Sequence, residues 1–154
     1  MTLFNKATVI LEMANNHMGS IAHAKKIITQ FKKITFPLEN EIDFILKFQK
    51  RDSNSFIHKS FIESEDTQVQ RFKDTFLSQD EWRELIRFSS KAFKLACTPF
   101  DEGSVDFVYR NKFHVVKVAS CSANDWPLLE YINRVNKTNK KKILISLGGL
   151  NIST

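Results

Sequence analysis

The sequence predicts an α/β protein built on a parallel sheet, and three observations carry that reading. Five short apolar runs begin near Val9, Asp43, Lys94, His114 and Lys142. Stretches with helical spacing, or loops with partial helical character, separate them. Polar and charged residues gather where each run ends. Parallel neighbours need crossover connections, which the intervening segments supply, and helices then cover the sheet.

The first run, Val9 to Leu11, gives way to Glu12, Asn15, Asn16 and His17 before Gly19 and Ser20 open a helical pattern. Ser20 can cap a helix in which Ile21, Ala24, Ile27, Ile28 and Phe31 recur at three- and four-residue spacing. Pro37 closes that stretch, and Asp43 to Gln49 reads as a second strand interrupted by Lys47. Arg51 to Phe76 has no clean period and reads as a loop with a partial helix; long loops after strands tend to carry function. Ser78 to Glu81 forms a capping box that launches a helix through Trp82, Leu85, Ile86, Ser89 and Phe93.

Lys94 to Thr98 is the third strand, ended by Pro99, and Asp101 caps a short helix carrying Val105, Val108 and Tyr109. His114 to Ser120 is the fourth strand, again with a lysine, Lys117, among apolar residues. Asn124 or Asp125 then caps a helix over Pro127 to Val135. Lys142 to Leu147 is the fifth strand, and Gly148 and Gly149 turn the chain. Two architectures fit five such strands: an open doubly wound sheet, complete at five, or part of a (β/α)8 barrel. Length alone favours the open sheet.

The 154 residues, 42% hydrophobic and 26% charged, have the balance of one globular domain. No apolar run approaches the ~20 residues of a membrane span, and no signal peptide is evident, so a cytoplasmic location is expected. Cys97 and Cys121 are too isolated for a disulfide framework or zinc knuckle and read as two buried thiols. The net charge of +6 is scattered, without an aromatic and basic recognition motif. No nucleic-acid or membrane partner is expected, and a small anionic substrate explains the charge equally well.

In a parallel sheet the C-terminal ends of all strands share one edge, so Glu12, Asn15, His17, Lys47, Gln49, Lys50, Thr98, Lys117, Ser120, Ser122 and Ser146 are expected to converge. A lysine in a covered strand loses hydration that a carboxylate or an anionic ligand must replace. An ion pair with Glu12 is one resolution for Lys47. Two such lysines with hydroxyls from Thr98, Ser120 and Ser146 favour an anion site, suited to phosphate and carboxylate groups. Glu12 suits a base or a hydrogen-bond acceptor for a hydroxyl or aldehyde. His17 reads as a structural hydrogen bonder, with a ligand or a general acid as the alternatives. No histidine spacing suggests a metal site.

Six stretches in order carry a resemblance: Glu12 to Ser20, Lys47 to Asp52, Cys97 to Asp101, Lys117 to Ser120, Pro127 to Ile132 and Ile143 to Gly148. Together they resemble the N-terminal part of the sialic acid (N-acetylneuraminate) synthase family. The resemblance implies a truncated (β/α)8 barrel in place of the open sheet, with residues 1–154 as the N-terminal portion of the synthase barrel domain. It implies condensation of phosphoenolpyruvate with N-acetylmannosamine or a related amino sugar, by a homodimer using a divalent metal, Mn2+ or Mg2+. Lys47, Thr98, Lys117, Ser120 and Ser146 would hold phosphoenolpyruvate. Glu12 would act beside the sugar aldehyde, with Asn15, His17, Gln49 and Ser122 on the sugar side.

Two departures stand out. Ser120, Cys121, Ser122 replaces the family's Ser-Gly-acid, and Ser146, Leu147, Gly148, Gly149 replaces Ser-Thr-Gly-Met. The family's metal-binding histidines and antifreeze-like domain would follow Thr154, and Asn151 to Thr154 is where the next helix would begin. The 154-residue chain is therefore expected to bind no metal tightly, to be inactive alone and to self-associate through unpaired strand edges. A non-catalytic phosphate- or anion-binding module of α/β class is the alternative.

Overall fold

The computed structural model describes residues 6–52 and 56–149; the expectation for Asn151 to Thr154 falls outside them. The strands are β1 (Ala7–Ala14), β2 (Ile42–Lys50), β3 (Lys94–Pro99), β4 (Val115–Val118) and β5 (Lys142–Ile145). Between them run α1 (Ile21–Thr35), α2 (Thr67–Asp74), α3 (Gln79–Ser89), α4 (Glu102–Arg110) and α5 (Trp126–Asn136). All neighbours are parallel, in the order β1-β2-β3-β4-β5.

That order decides between the two architectures. A doubly wound sheet reverses direction at a switch point, whereas a barrel adds each strand to the last. The five strands form an arc of a (β/α)8-type barrel, and the open sheet favoured by length is set aside.

The two faces of the arc differ in kind. Met13, Leu46, Phe48, Leu95, Cys97, Val116 and Val118 bury themselves against the helices in the main core, with Trp82, Leu85, Val105, Val108, Leu128 and Ile132. The alternate residues face the other way, where only Ile45, Ala96 and Val115 make a small apolar cluster. Because side chains alternate along a strand, Glu12, Lys47, Gln49, Thr98 and Lys117 lie on this concave side. It is not covered as the lysine argument assumed: Lys117 is half-buried, and Ile10 and Leu144 on the edge strands are exposed.

Local chemistry fixes the elements. Ser20 accepts from the His23 backbone N–H at 3.2 Å, and Asp101 from that of Ser104 at 2.6 Å. Ser78 and Glu81 complete the reciprocal capping box. The 51–76 segment holds a 3-10 turn, Lys59–Phe61, and α2, which is capped by Asp66.

Several boundaries differ from expectation. The Ser78 helix ends at Ser89, and Phe93 is buried beyond it. β4 ends at Val118 because Ser120–Ser122 closes into a 3-10 turn, in which Ala123 donates back to Ser120. That turn leaves Cys121 exposed, so only Cys97 is the buried thiol expected.

Gly19 has φ +69°, and a Cβ there would run into the Asp74 carbonyl oxygen at the end of α2. The close approach locks the β1–α1 turn against the 51–76 segment. Gly19→Ala is expected to cost at least about 2 kcal/mol, measured as a lowered urea midpoint at unchanged m-value.

Candidate functional site

The centre of the concave face is Lys47, which is 4% exposed. β1 and β2 register Glu12 directly opposite it, and its ammonium group forms an ion pair with Glu12 Oε2. It also donates to Thr98 Oγ1 at 3.4 Å. Glu12 is placed by an irregularity in the strand. The register shifts between Glu12 and Ala14, Ala14 takes φ 44°, and its N–H turns back to Glu12 Oε1 at 3.0 Å. A non-glycine residue in this region costs of order 1 kcal/mol, and such outliers cluster at functional sites. The carboxylate is thus held from two sides, yet its side chain remains 46% exposed to the concave face.

Lys117 joins this group from β4. Since Ala96 registers with Val115, Thr98 and Lys117 lie at the same level two residues on. Burial, and next the Lys47 charge, lower the Lys117 ammonium from its ordinary value, while Glu12 and Cys121 raise it. Ser146 follows β5, and its N–H extends the ladder to Val118 O at 3.1 Å. Ser120 opens the 3-10 turn nearby and is exposed; a Cβ on Gly148 would lie 3.8 Å from that of Ser120. Ser122 is buried, with Oγ 4.0 Å from Cys121 Sγ. The five residues expected around an anion therefore sit in the C-terminal halves of β2 to β4 or just beyond β4 and β5.

The residues expected on the sugar side split into two environments. Asn15, His17 and Gln49 line a cavity of about 300 Å³ beneath the 51–76 segment, with Lys50, Arg51, Phe72, Lys73, Phe76 and Trp82; Ser122 belongs to the β4 turn. His17 is 1% exposed, accepts from the Gly19 N–H through Nδ1 at 3.2 Å, and meets Trp82 edge-on. Burial, with a smaller contribution from His23, pushes its pKa down to about 4. Sequence reasoning missed Arg51, whose guanidinium carbon lies 3.9, 4.6 and 5.3 Å from the ring centres of Phe100, Phe72 and Phe56. The aromatic residues flanking it were a signal, but their periodicity was too weak to place them.

The described residues bring no three of His, Cys, Asp or Glu together in a group that could hold a metal ion. Glu12 is committed to Lys47, and His17 Nδ1 to Gly19. The described residues therefore do not fit the divalent metal that the resemblance implies, and no chemistry is routed through one.

Sequential parallel strands with charged and hydroxyl side chains at their C-terminal ends define a (β/α)8-type barrel protein, the class that places ligands at that edge. More particularly, the chain belongs to the NeuB family, whose model matches residues 34–154. It is 30% identical over 137 residues to the uncharacterized protein MJ1065 of Methanocaldococcus jannaschii, a match covering 88% of this chain and 36% of that protein. It is 26% identical over 157 residues to the N-acetylneuraminate-9-phosphate synthase of Homo sapiens, covering 95% and 40% respectively.

Among solved structures, one described as spore coat polysaccharide biosynthesis protein E from Chromobacterium violaceum superposes with a TM-score of 0.87 at 37% identity, over 96% of this chain and 43% of that one. The N-acetylneuraminic acid synthetase of Leptospira borgpetersenii shares the fold, with a TM-score of 0.75 at 21% identity, over 97% and 47%. The chain spans less than half the length of each of these relatives. No helix among the described residues is long and apolar enough to cross a membrane.

The His17 environment has a consequence for stability. A folded pKa near 4 against an ordinary 6.5 means that the unfolded chain binds the proton first as pH falls. The stabilisation is complete above pH 6.5 and is lost on acidification toward pH 4, with a slope of at most about 1.4 kcal/mol per pH unit. His17→Gln is expected to flatten this window in unfolding free energies measured at a series of pH values.

Proposed function

We propose that this chain contributes the phosphoenolpyruvate-binding half of a sialic acid synthase-type carbon-carbon bond-forming transferase. The observation that carries the reading is the buried Lys47 ammonium, held with Glu12, Thr98 and Lys117 on the concave face. Two ammonium groups and several hydroxyls at one edge match a small molecule bearing both phosphate and carboxylate. The NeuB membership and the named activities of the relatives point the same way.

In this reading Lys47 and Lys117 neutralise the phosphate and carboxylate, and Thr98, Ser120 and Ser146 donate hydroxyl hydrogen bonds. The anion competes with Glu12 for Lys47. Glu12 Oε2 is then freed to accept a hydrogen bond from the acceptor sugar, an N-acetylated amino sugar such as N-acetylmannosamine. Condensation joins a phosphoenolpyruvate carbon to the aldehyde carbon, consumes a water and releases phosphate. The sugar extends toward Asn15, Gln49 and His17, with Ser122 on its other side. The Mn2+ or Mg2+ of the family, and the homodimer, belong to the complete assembly, which acts in the cytoplasm.

A non-catalytic anion-binding module is the second reading, favoured by Ser122 standing where the family carries an acid. Phosphate release from phosphoenolpyruvate in an assembly completed with the remaining strands separates the two.

Lys47→Met is expected to weaken phosphoenolpyruvate binding by about 30-fold or more while changing amino-sugar binding little, because truncating one partner of a buried charged pair costs about 2 kcal/mol or more. Calorimetric titration of both ligands reads it. Equal losses would assign Lys47 to folding.

A further inference from the structure

A glutamine amide can meet a ligand through its carbonyl oxygen or through its N–H groups, and at Gln49 a neighbouring side chain decides between them. Gln49 registers with Thr98 across β2 and β3, on the same face of the strand as Lys47. Arg51 Nη2 donates to its Oε1 at 3.1 Å. A guanidinium carries donors only and stays protonated in proteins, so the amide must turn its oxygen toward Arg51. The side chain is left with Nε2, a donor, to offer a ligand.

Arg51 is held firmly enough to impose that choice. Its guanidinium is packed among Phe56, Phe72 and Phe100, and its Nε is buried without a partner among the described residues. The bond to Gln49 therefore matters more than a solvated one would, because little water competes for it.

The backbone on both sides of Arg51 is tied to the next β/α unit. The Phe100 N–H donates to Lys50 O at 3.2 Å, and the Asp52 N–H donates to Asp101 Oδ2 at 2.7 Å. The other Asp101 oxygen caps α4. A Cβ on Gly103 would lie 3.2 Å from Asp52 Oδ2, so a glycine there leaves the junction room to close. Charge is balanced within this corner. Burial lowers the Lys50 ammonium while Asp101 and Asp52 raise it, and burial lowers the Arg51 guanidinium while Cys121 and Asp101 raise it. Arg51 is thus accounted for by the amide it holds, without a further anion.

We propose that Arg51 is a positioning residue that fixes Gln49 as a hydrogen-bond donor, so that this edge of the site selects an acceptor oxygen on the amino sugar. The inference rests on the reading that the amino sugar lies beside Glu12. An amide free to turn would accept a donor or an acceptor alike, whereas a fixed one discriminates and has less freedom to lose on binding.

Calorimetry on the 154-residue chain tests this with N-acetylmannosamine and phosphoenolpyruvate as separate probes. Gln49→Glu keeps the shape and the bond to Arg51 but replaces the donor with a second acceptor. It is expected to weaken the sugar about tenfold or more and phosphoenolpyruvate by less than about twofold. Arg51→Met is expected to weaken the sugar about fivefold when Gln49 is present and by less than about twofold in a Gln49→Met background. A merely structural Arg51 would cost the same in both backgrounds, and that result overturns the proposal. So does undiminished sugar binding by Gln49→Glu, or an equal loss of both ligands.

If Arg51→Met shows no cooperative melt, Gln49→Glu decides alone. Wild-type chain that binds phosphoenolpyruvate through Lys47 but no sugar sinks this inference only. Sugar binding with the Arg51 and Gln49 coupling intact, and no phosphoenolpyruvate binding, sinks the broader reading only.

Discussion

An ammonium group with almost no access to water, midway along the concave face of β2, is the constraint from which the site follows. Lys47 is stable there because Glu12 on the neighbouring strand pairs with it and Thr98 on the other side accepts its hydrogen bond. Removing Glu12 would leave the buried Lys47 ammonium with its desolvation uncompensated, so the pair favours this register of β1 on β2 as well as setting the local potential. The strained Ala14 backbone belongs to the same arrangement, since its N–H holds the second Glu12 oxygen. The sheet therefore presents a preformed charge pair that an incoming anion can open.

The two faces of the arc divide the work. Helices α1, α3, α4 and α5 bury the aliphatic and aromatic face, which supplies the stability of the fold. The concave face stays polar toward the C-terminal edge and apolar toward the other end, at Ile45, Ala96 and Val115. Barrel architecture makes that polarity possible, because the interior need not be sealed at the mouth. The 51–76 segment then builds a wall over one side of the mouth, tied to the β1–α1 turn at Gly19.

Much of this was legible in the residues. Lys47 and Lys117 were conspicuous because a charge in an apolar strand demands a partner, and a parallel sheet gathers the ends of its strands, Glu12 and Thr98 among them, on one edge. The capping box at Ser78 and the caps at Ser20 and Asp101 announced their helices. Length misled on architecture, since five β/α units complete one fold and only begin another; the strand order resolves it. The donor-rich cavity could not be read in advance. Arg51, Phe72 and Lys73 come from opposite ends of a segment with no period, and their meeting depends on where α2 folds back. Nor does any local pattern mark Ala14 as left-handed, at the register shift where its N–H turns to the Glu12 carboxylate. Cys121 was expected to be buried as strand residues are, but the turn at Ser120 carries it to the surface.

The central claim is that the cluster around Lys47 is a substrate anion site and not merely a structural ion pair. A crystal structure of the protein grown with phosphoenolpyruvate tests it most directly. The account predicts phosphate and carboxylate oxygens within hydrogen-bond distance of Lys47 Nζ, Thr98 Oγ1 and Lys117 Nζ, with Glu12 Oε2 released from Lys47. Phosphoenolpyruvate bound on the helix-covered face or away from the β2 to β5 strand ends, with the Lys47 to Glu12 pair intact, would contradict it.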